Sequence, residues 1–289
     1  MHELIAQLLA ETPVITDGAW GTQLQQRGLP IGSAPDPWNL EHPDRVRDVA
    51  GGYVEAGSRV ILTNTFGASR ILLSRHGFDE QVVAINEAGA RISVEAARGR
   101  AYVFGSVGPT GKMAAMGEIS SDALYACYSE QAEALASGGV DGFVIETMSD
   151  LDEAAAAVAA ASATGLPVVA CMTFGSGKGG DRTMMGVTPE QAAERLIGAG
   201  ASVVGANCGQ GPEGMVAVVE RLRAASGRPV WAKPNAGLPR IVGGVAVYDE
   251  TPEAFLAGAA ALVRAGAGFI GGCCGTNPEF IRALMAFRA

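Results

Sequence analysis

Eight short, near-continuously apolar runs recur along this chain of 289 residues, and their rhythm limits the fold more than any other feature. They are PVITDG from 13, VILTNTF from 60, AYVFGSVGP from 101, GFVIETM from 142, PVVACMTF from 167, SVVGANC from 202, PVWAKPNA from 229 and GFIGGCC from 268. Strands covered on both faces read this way, because neither face meets water. Helical stretches separate the runs. TPEQAAERLIGAG opens with Thr188, Pro189 and Gln191 in capping-box spacing and closes at Gly198 or Gly200, and TPEAFLAGAAALVRAGAG repeats that opening at Thr251. A helix end, a glycine and a strand follow one another in EAGSRVILTNTF, SGGVDGFVIETM, GAGASVVGANC and RAGAGFIGGCC, one βα unit used many times. Eight such units predict an α/β fold, a single (β/α)8 TIM barrel forming one domain over 1–289. The rival, an open doubly wound sheet, lacks its G-x-G-x-x-G fingerprint after the first run, and no composition break marks a second domain.

Charge narrows the partners. A net charge of −9, with no Lys/Arg cluster to offset it, repels nucleic-acid phosphates and anionic membranes. No segment approaches the roughly 20 apolar residues that cross a bilayer. The start MHELIAQLLAETP has no basic leader, and Leu4, Ile5, Leu8 and Leu9 make one face of a short helix. Five cysteines, an odd count with no framework spacing, fit a reducing, cytoplasmic setting.

In a barrel of this kind catalytic groups gather at the carboxyl ends of the strands. The polar residues sit there: Asp17-Gly18, Thr63-Asn64-Thr65, Glu146-Thr147, Asn207-Cys208, Asn235 and Cys273-Cys274. The sixth and eighth runs lie two positions apart around the ring, so Cys208, Cys273 and Cys274 are expected to converge. Three thiolates with an open fourth position describe a zinc site built for chemistry, since structural sites close with four protein ligands. His2, His42 and His76 lie away from strand ends, and Cys127 falls in a helix. The vacancy invites a thiol from outside, whose proton zinc replaces. By itself GGCCGT fits a barrel phosphate loop equally well. Each other residue also has a plain reading: Asp17 as a turn or cap residue, Thr63 and Asn64 as strand-end hydrogen bonds, Asn207 and Asn235 as turn residues.

With these residues in place the chain resembles the homocysteine S-methyltransferase family. The likeness rests on DGAWGTQLQQRG (17–28), TNTFGAS (63–69), GSVGPTG (105–111), DGFVIETMSD (141–150), GANCGQGPE (205–213), KPNAGLP (233–239) and GGCCGTNPE (271–279). It implies that Cys208, Cys273 and Cys274 hold Zn2+, with homocysteine against the ends of the first, second and fourth strands. Glu146 suits the substrate ammonium, and Asp17 the same group or the orientation of its neighbours. Backbone N–H groups at Gly18 and Ala19 suit the carboxylate, and Thr63, Asn64 and Asn207 add neutral hydrogen bonds. No protein side chain is expected to act as the nucleophile or base, because the zinc-bound substrate thiolate itself attacks the methyl group to give methionine. Within the family the motifs are most similar to the homocysteine module of cobalamin-dependent methionine synthase. The chain has no D-x-H-x-x-G cobalamin signature, so a corrinoid donor would ride on a separate methyl-corrinoid protein, while a small-molecule methyl donor is the other option. Alternatives are transfer to another thiol or selenol, a zinc-free phosphate-binding barrel enzyme, or a zinc-loaded adaptor for a corrinoid protein. The glycine-rich stretch 175–187, carrying Met184 and Met185, reads equally as a lid or as an ordinary loop.

Overall fold

A computed structural model describes residues 2–242 and 245–288. Eight strands form one parallel sheet: β1 (Val14–Ile15), β2 (Val60–Leu62), β3 (Tyr102–Val107), β4 (Gly142–Met148), β5 (Val168–Met172), β6 (Val203–Asn207), β7 (Val230–Lys233) and, after an inserted antiparallel hairpin of β8 (Arg240–Val242) and β9 (Val245–Val247), β10 (Ala267–Ile270). Their order is β1-β10-β7-β6-β5-β4-β3-β2, and a parallel bridge between Thr16 and Val60 joins the two ends into a ring. The result is the expected (β/α)8 barrel. The hairpin is the element the apolar rhythm does not announce.

Each strand runs in the same direction because a helix returns the chain along the outside. The helices begin where the sequence marks them. Thr188 accepts from the Gln191 N–H while the Gln191 side chain accepts from the Thr188 N–H, a complete capping box on the helix Pro189–Gly198. The helix Pro252–Ala265 starts on Thr251 and stops at Gly266, whose φ of 116° belongs to the left-handed region.

The interior of the ring is filled by side chains from alternate strand positions. Trp231 lies between Phe104 and Phe269, its ring centroid 6.3 and 5.0 Å from theirs, with Val14, Leu62, Val144, Val169 and Val203 around them. Ile5 and Leu8 of the helix Glu3–Leu9 join this cluster and are buried, with Leu4 and Leu9 partly buried beside them. That helix therefore covers the end of the ring where the strands begin. Burying Ile5 and Leu8 in this way stabilises the fold by about 1.5–3 kcal/mol each. With this end sealed, the carboxyl ends of the strands form the open mouth. Among the described residues no helix is long and apolar enough to cross a membrane.

Candidate active site

The cysteines that the strand count brings together do meet. Cys208 follows β6, Cys273 and Cys274 follow β10, and β7 lies between them. All three sulfurs lie within 4.8 Å of one another, with Cys208 Sγ 3.9 Å from Cys274 Sγ. Sulfurs bound to one tetrahedral zinc at about 2.3 Å would stand about 3.8 Å apart, so the spacing fits such an ion. Charge chemistry agrees with the geometry. The Cys208 thiol is held far below its usual range by hydrogen bonds from Cys273 and Cys274, and those two are pushed up, first by the same contact with Cys208. Sulfurs this close disfavour one another's ionisation; a divalent cation would let all three ionise.

Backbone contacts fix the cluster. Cys208 has φ of 60°, and its N–H donates to Lys233 O at 3.0 Å. The Cys273 N–H donates to Pro234 O at 2.7 Å, and the Ala236 N–H to Cys274 O at 2.9 Å. Tyr248, which follows β9, lies against Gly275 beside Cys274, so the unannounced hairpin delivers one wall of the cluster. Gly272 donates to Asp17 O at 3.0 Å, and Thr276 links the same turns by accepting from Ala19 N–H and donating to Cys273 O.

The sulfurs face a cavity of about 360 Å³ whose walls include Gly18, Ala19, Trp20, Thr22, Thr63, Asn64, Phe66, Glu146 and Lys233. Glu146 is buried. Its Oε1 accepts from Ser106 Oγ at 2.5 Å and its Oε2 from Asn207 Nδ2 at 3.3 Å. Burial pushes its carboxyl up, against the opposing pull of Lys233 and the Ser106 hydrogen bond.

Several expected contacts sit elsewhere than in the first layer of the cavity. Asp17 and Asn207 lie behind the wall. Asp17 Oδ1 holds Lys233 Nζ at 2.5 Å, and Oδ2 holds Trp20 Nε1 at 2.7 Å and Leu62 N at 2.8 Å. Asn207 is engaged with Glu146, Thr147 N and Thr147 Oγ1. The Asn64 amide donates to Pro35 O and Asn39 Oδ1, and Thr63 Oγ1 accepts from Ser106 N, so both shape the wall through internal bonds. Ala19 N–H is taken by Thr276, whereas Thr22 Oγ1 is buried on the wall without a hydrogen-bond partner. The stretch 175–187 is no part of this wall: the Gln210 amide donates to Gly180 O and Arg221 pairs with Asp181, fastening it to one side. Lys233 was not among the candidates, although a lysine inside the run PVWAKPNA was its signal. The first turn after the cysteines offers little to a phosphate, because the Asn277 side chain already caps it at Glu279 N and Glu279 adds a negative charge.

A sequence profile described as homocysteine S-methyltransferase matches residues 14–287. The chain belongs to the homocysteine S-methyltransferase family. Among similar proteins, the methionine synthase of Mycobacterium tuberculosis is 28% identical over 301 residues, covering 98% of this chain and 25% of that one. The methionine synthase of Mycobacterium leprae is also 28% identical, with the same coverage. The chain therefore spans about a quarter of the length of these relatives. The crystal structure of the homocysteine methyltransferase MmuM from Escherichia coli, in its metallated form, superposes over 100% of both chains with a TM-score of 0.82 at 24% identity. That likeness establishes the shared fold of this family member, and the three sulfurs of the mouth are its candidate metal ligands.

Proposed function

We propose that this chain, as one barrel domain over 1–289, is a zinc-dependent S-methyltransferase that transfers a methyl group to the thiolate of homocysteine, forming methionine. The observation that carries this reading is the meeting of Cys208, Cys273 and Cys274 within 4.8 Å on the wall of the cavity that also holds Glu146. The metallated form of its structural relative MmuM and the two methionine synthases support it.

A zinc ion held by the three cysteines would supply a Lewis acid that keeps the substrate sulfur ionised at neutral pH. The protein's own groups do the rest. Glu146 receives the substrate ammonium, its carboxylate oriented by Ser106 and Asn207. The turn from Gly18 to Thr22 receives the substrate carboxylate, with Thr22 Oγ1 as a donor that has no partner inside the protein. Asp17 orients Trp20 and Lys233; Thr63, Asn64 and Asn207 hold the wall in shape. With both ends of the amino acid held, the sulfur is presented to the methyl carbon as a near-attack conformer. Its lone pair forms the new S–C bond while the donor's bond to the methyl carbon breaks, and that electron pair leaves with the donor.

The donor enters from the open mouth, as a small molecule or on a separate methyl-corrinoid protein. A cytoplasmic, reducing setting keeps the three thiols free. The decisive experiment is metal analysis and calorimetric titration with homocysteine, followed by a screen of methyl-corrinoids, betaine, S-methylmethionine and other sulfonium donors. Protein that holds no zinc and binds phosphate instead would overturn the reading.

A further inference from the structure

Lys233 and Asp17 form an ion pair at 2.5 Å with side-chain exposures of only 3% and 0%, and Lys233 reaches the cavity that contains Glu146. Buried charges are costly unless paired, and an unpaired partner is costlier still. Lys233 stands between two carboxylates: its ammonium is bonded to Asp17 and lies within the field of Glu146. Asp17 in turn is held from both sides, since its second oxygen carries the Trp20 indole and the Leu62 N–H. Two consequences follow. Asp17 and Lys233 cancel each other's charge, which leaves Glu146 as the uncancelled negative charge of this trio. The pair also fixes Trp20, a wall of the cavity, by way of Asp17.

We propose that Lys233 is a positioning and specificity residue, which by pairing with Asp17 sets the cavity's charge to accept a zwitterionic amino-acid thiol. Without it the trio of Asp17, Lys233 and Glu146 would carry two negative charges and would disfavour the substrate's carboxylate. Without Asp17 the trio would carry none and would lose its preference for the ammonium. This inference rests on the homocysteine reading above, and concerns how the site selects that class of substrate.

The test uses the zinc-loaded protein and three thiols: homocysteine, 3-aminopropane-1-thiol, which has only the ammonium, and 4-mercaptobutyrate, which has only the carboxylate. Affinities are measured by calorimetry, and zinc content and melting are checked for each variant. Lys233→Met is expected to raise the ratio of aminopropanethiol to mercaptobutyrate affinity by about tenfold or more, and Asp17→Asn to lower it by a similar factor. Lys233→Arg, which keeps the charge in another shape, should weaken binding while leaving the ratio near that of the unaltered protein. The sign of the shift decides, so either single variant suffices if the other does not fold. If neither single variant folds, Asp17→Asn/Lys233→Met decides: a ratio near that of the unaltered protein supports charge cancellation, and a shift of about tenfold overturns it. Uniform weakening of all three thiols with an unmoved ratio would show a merely structural pair and overturn the proposal. Unaltered protein that binds neither zinc nor homocysteine overturns the function instead, so the two failures are distinct.

Discussion

Asn207 Nδ2 donates to Glu146 Oε2 at 3.3 Å while Asn207 Oδ1 accepts the Thr147 N–H at 2.7 Å. One buried amide thus ties the end of β6, where Cys208 follows, to the end of β4, where Glu146 stands. The ammonium site and the sulfur cluster are held in register by the same side chain. Thr147 and Cys208 have φ of 63° and 60°, a left-handed backbone that non-glycine residues adopt only where the surroundings impose it.

Asn207→Ala leaves the Thr147 N–H without its acceptor and Glu146 without one of its donors. A loss of about 2–4 kcal/mol in stability is expected, because a buried group is left unsatisfied. Homocysteine affinity should fall by about tenfold as Glu146 loses its fixed orientation. Urea denaturation and calorimetric titration measure the two effects; wild-type values for both would show that the amide is not the tie.

Removing the metal should abolish homocysteine binding but leave the fold, because the packed interior around Trp231 is a separate cluster from the sulfurs. Far-ultraviolet circular dichroism after chelation, with titration before and after, checks this. Cys208→Ala should reduce zinc from about one per chain to near none. Zinc should also be released as pH falls, since protons compete for the thiolates. Full zinc retention in Cys208→Ala would remove that residue from the ligand set.

Asp36 makes stability depend on pH. Its Oδ1 accepts Gly67 N–H at 2.8 Å, which clamps the segment carrying Pro35 against the loop after β2. Burial raises its carboxyl from 3.8 to about 6 despite that hydrogen bond. A raised folded value means stability is fully present below about pH 4 and is lost as pH rises through about 6, by about 3 kcal/mol for this group. Asp36→Asn keeps an acceptor for Gly67 and should flatten this part of the profile. Denaturation at pH 4.5, 6 and 8 is the measurement, and an unchanged slope in the variant would assign the dependence to other groups.

Gly271→Ala should be severely destabilising. A Cβ there would meet Thr16 Oγ1 at 2.0 Å and Asp17 O at 2.6 Å, the second being backbone that cannot rotate away. A loss above about 3 kcal/mol, with displacement of Asp17 and weaker homocysteine binding, is expected. A variant that melts and binds like the wild type would mean the turn can open without cost.

The barrel was legible because the period of the sequence is local chemistry: a parallel strand is apolar throughout, and its helix announces itself with Thr188-Pro189 or Thr251-Pro252. The sulfur cluster was legible for a related reason, since strand order in a ring turns a separation along the chain into a distance across the mouth. Asn64, Asp17 and Asn207 were located correctly at strand ends, yet their hydrogen bonds to Pro35, Lys233 and Thr147 depend on which loops fold back over them, and no local pattern records that.

The sequence by itself determined the number and direction of the eight barrel strands and the meeting of Cys208 with Cys273 and Cys274, because these follow from hydrophobic periodicity and chain order. Only the tertiary structure decided that Lys233 faces Asp17, that Tyr248 lies beside Cys274 and that the stretch 175–187 is fastened outside the cavity. Those outcomes turn on long-range packing and on the desolvation of particular charges, which exist only once distant segments are in contact.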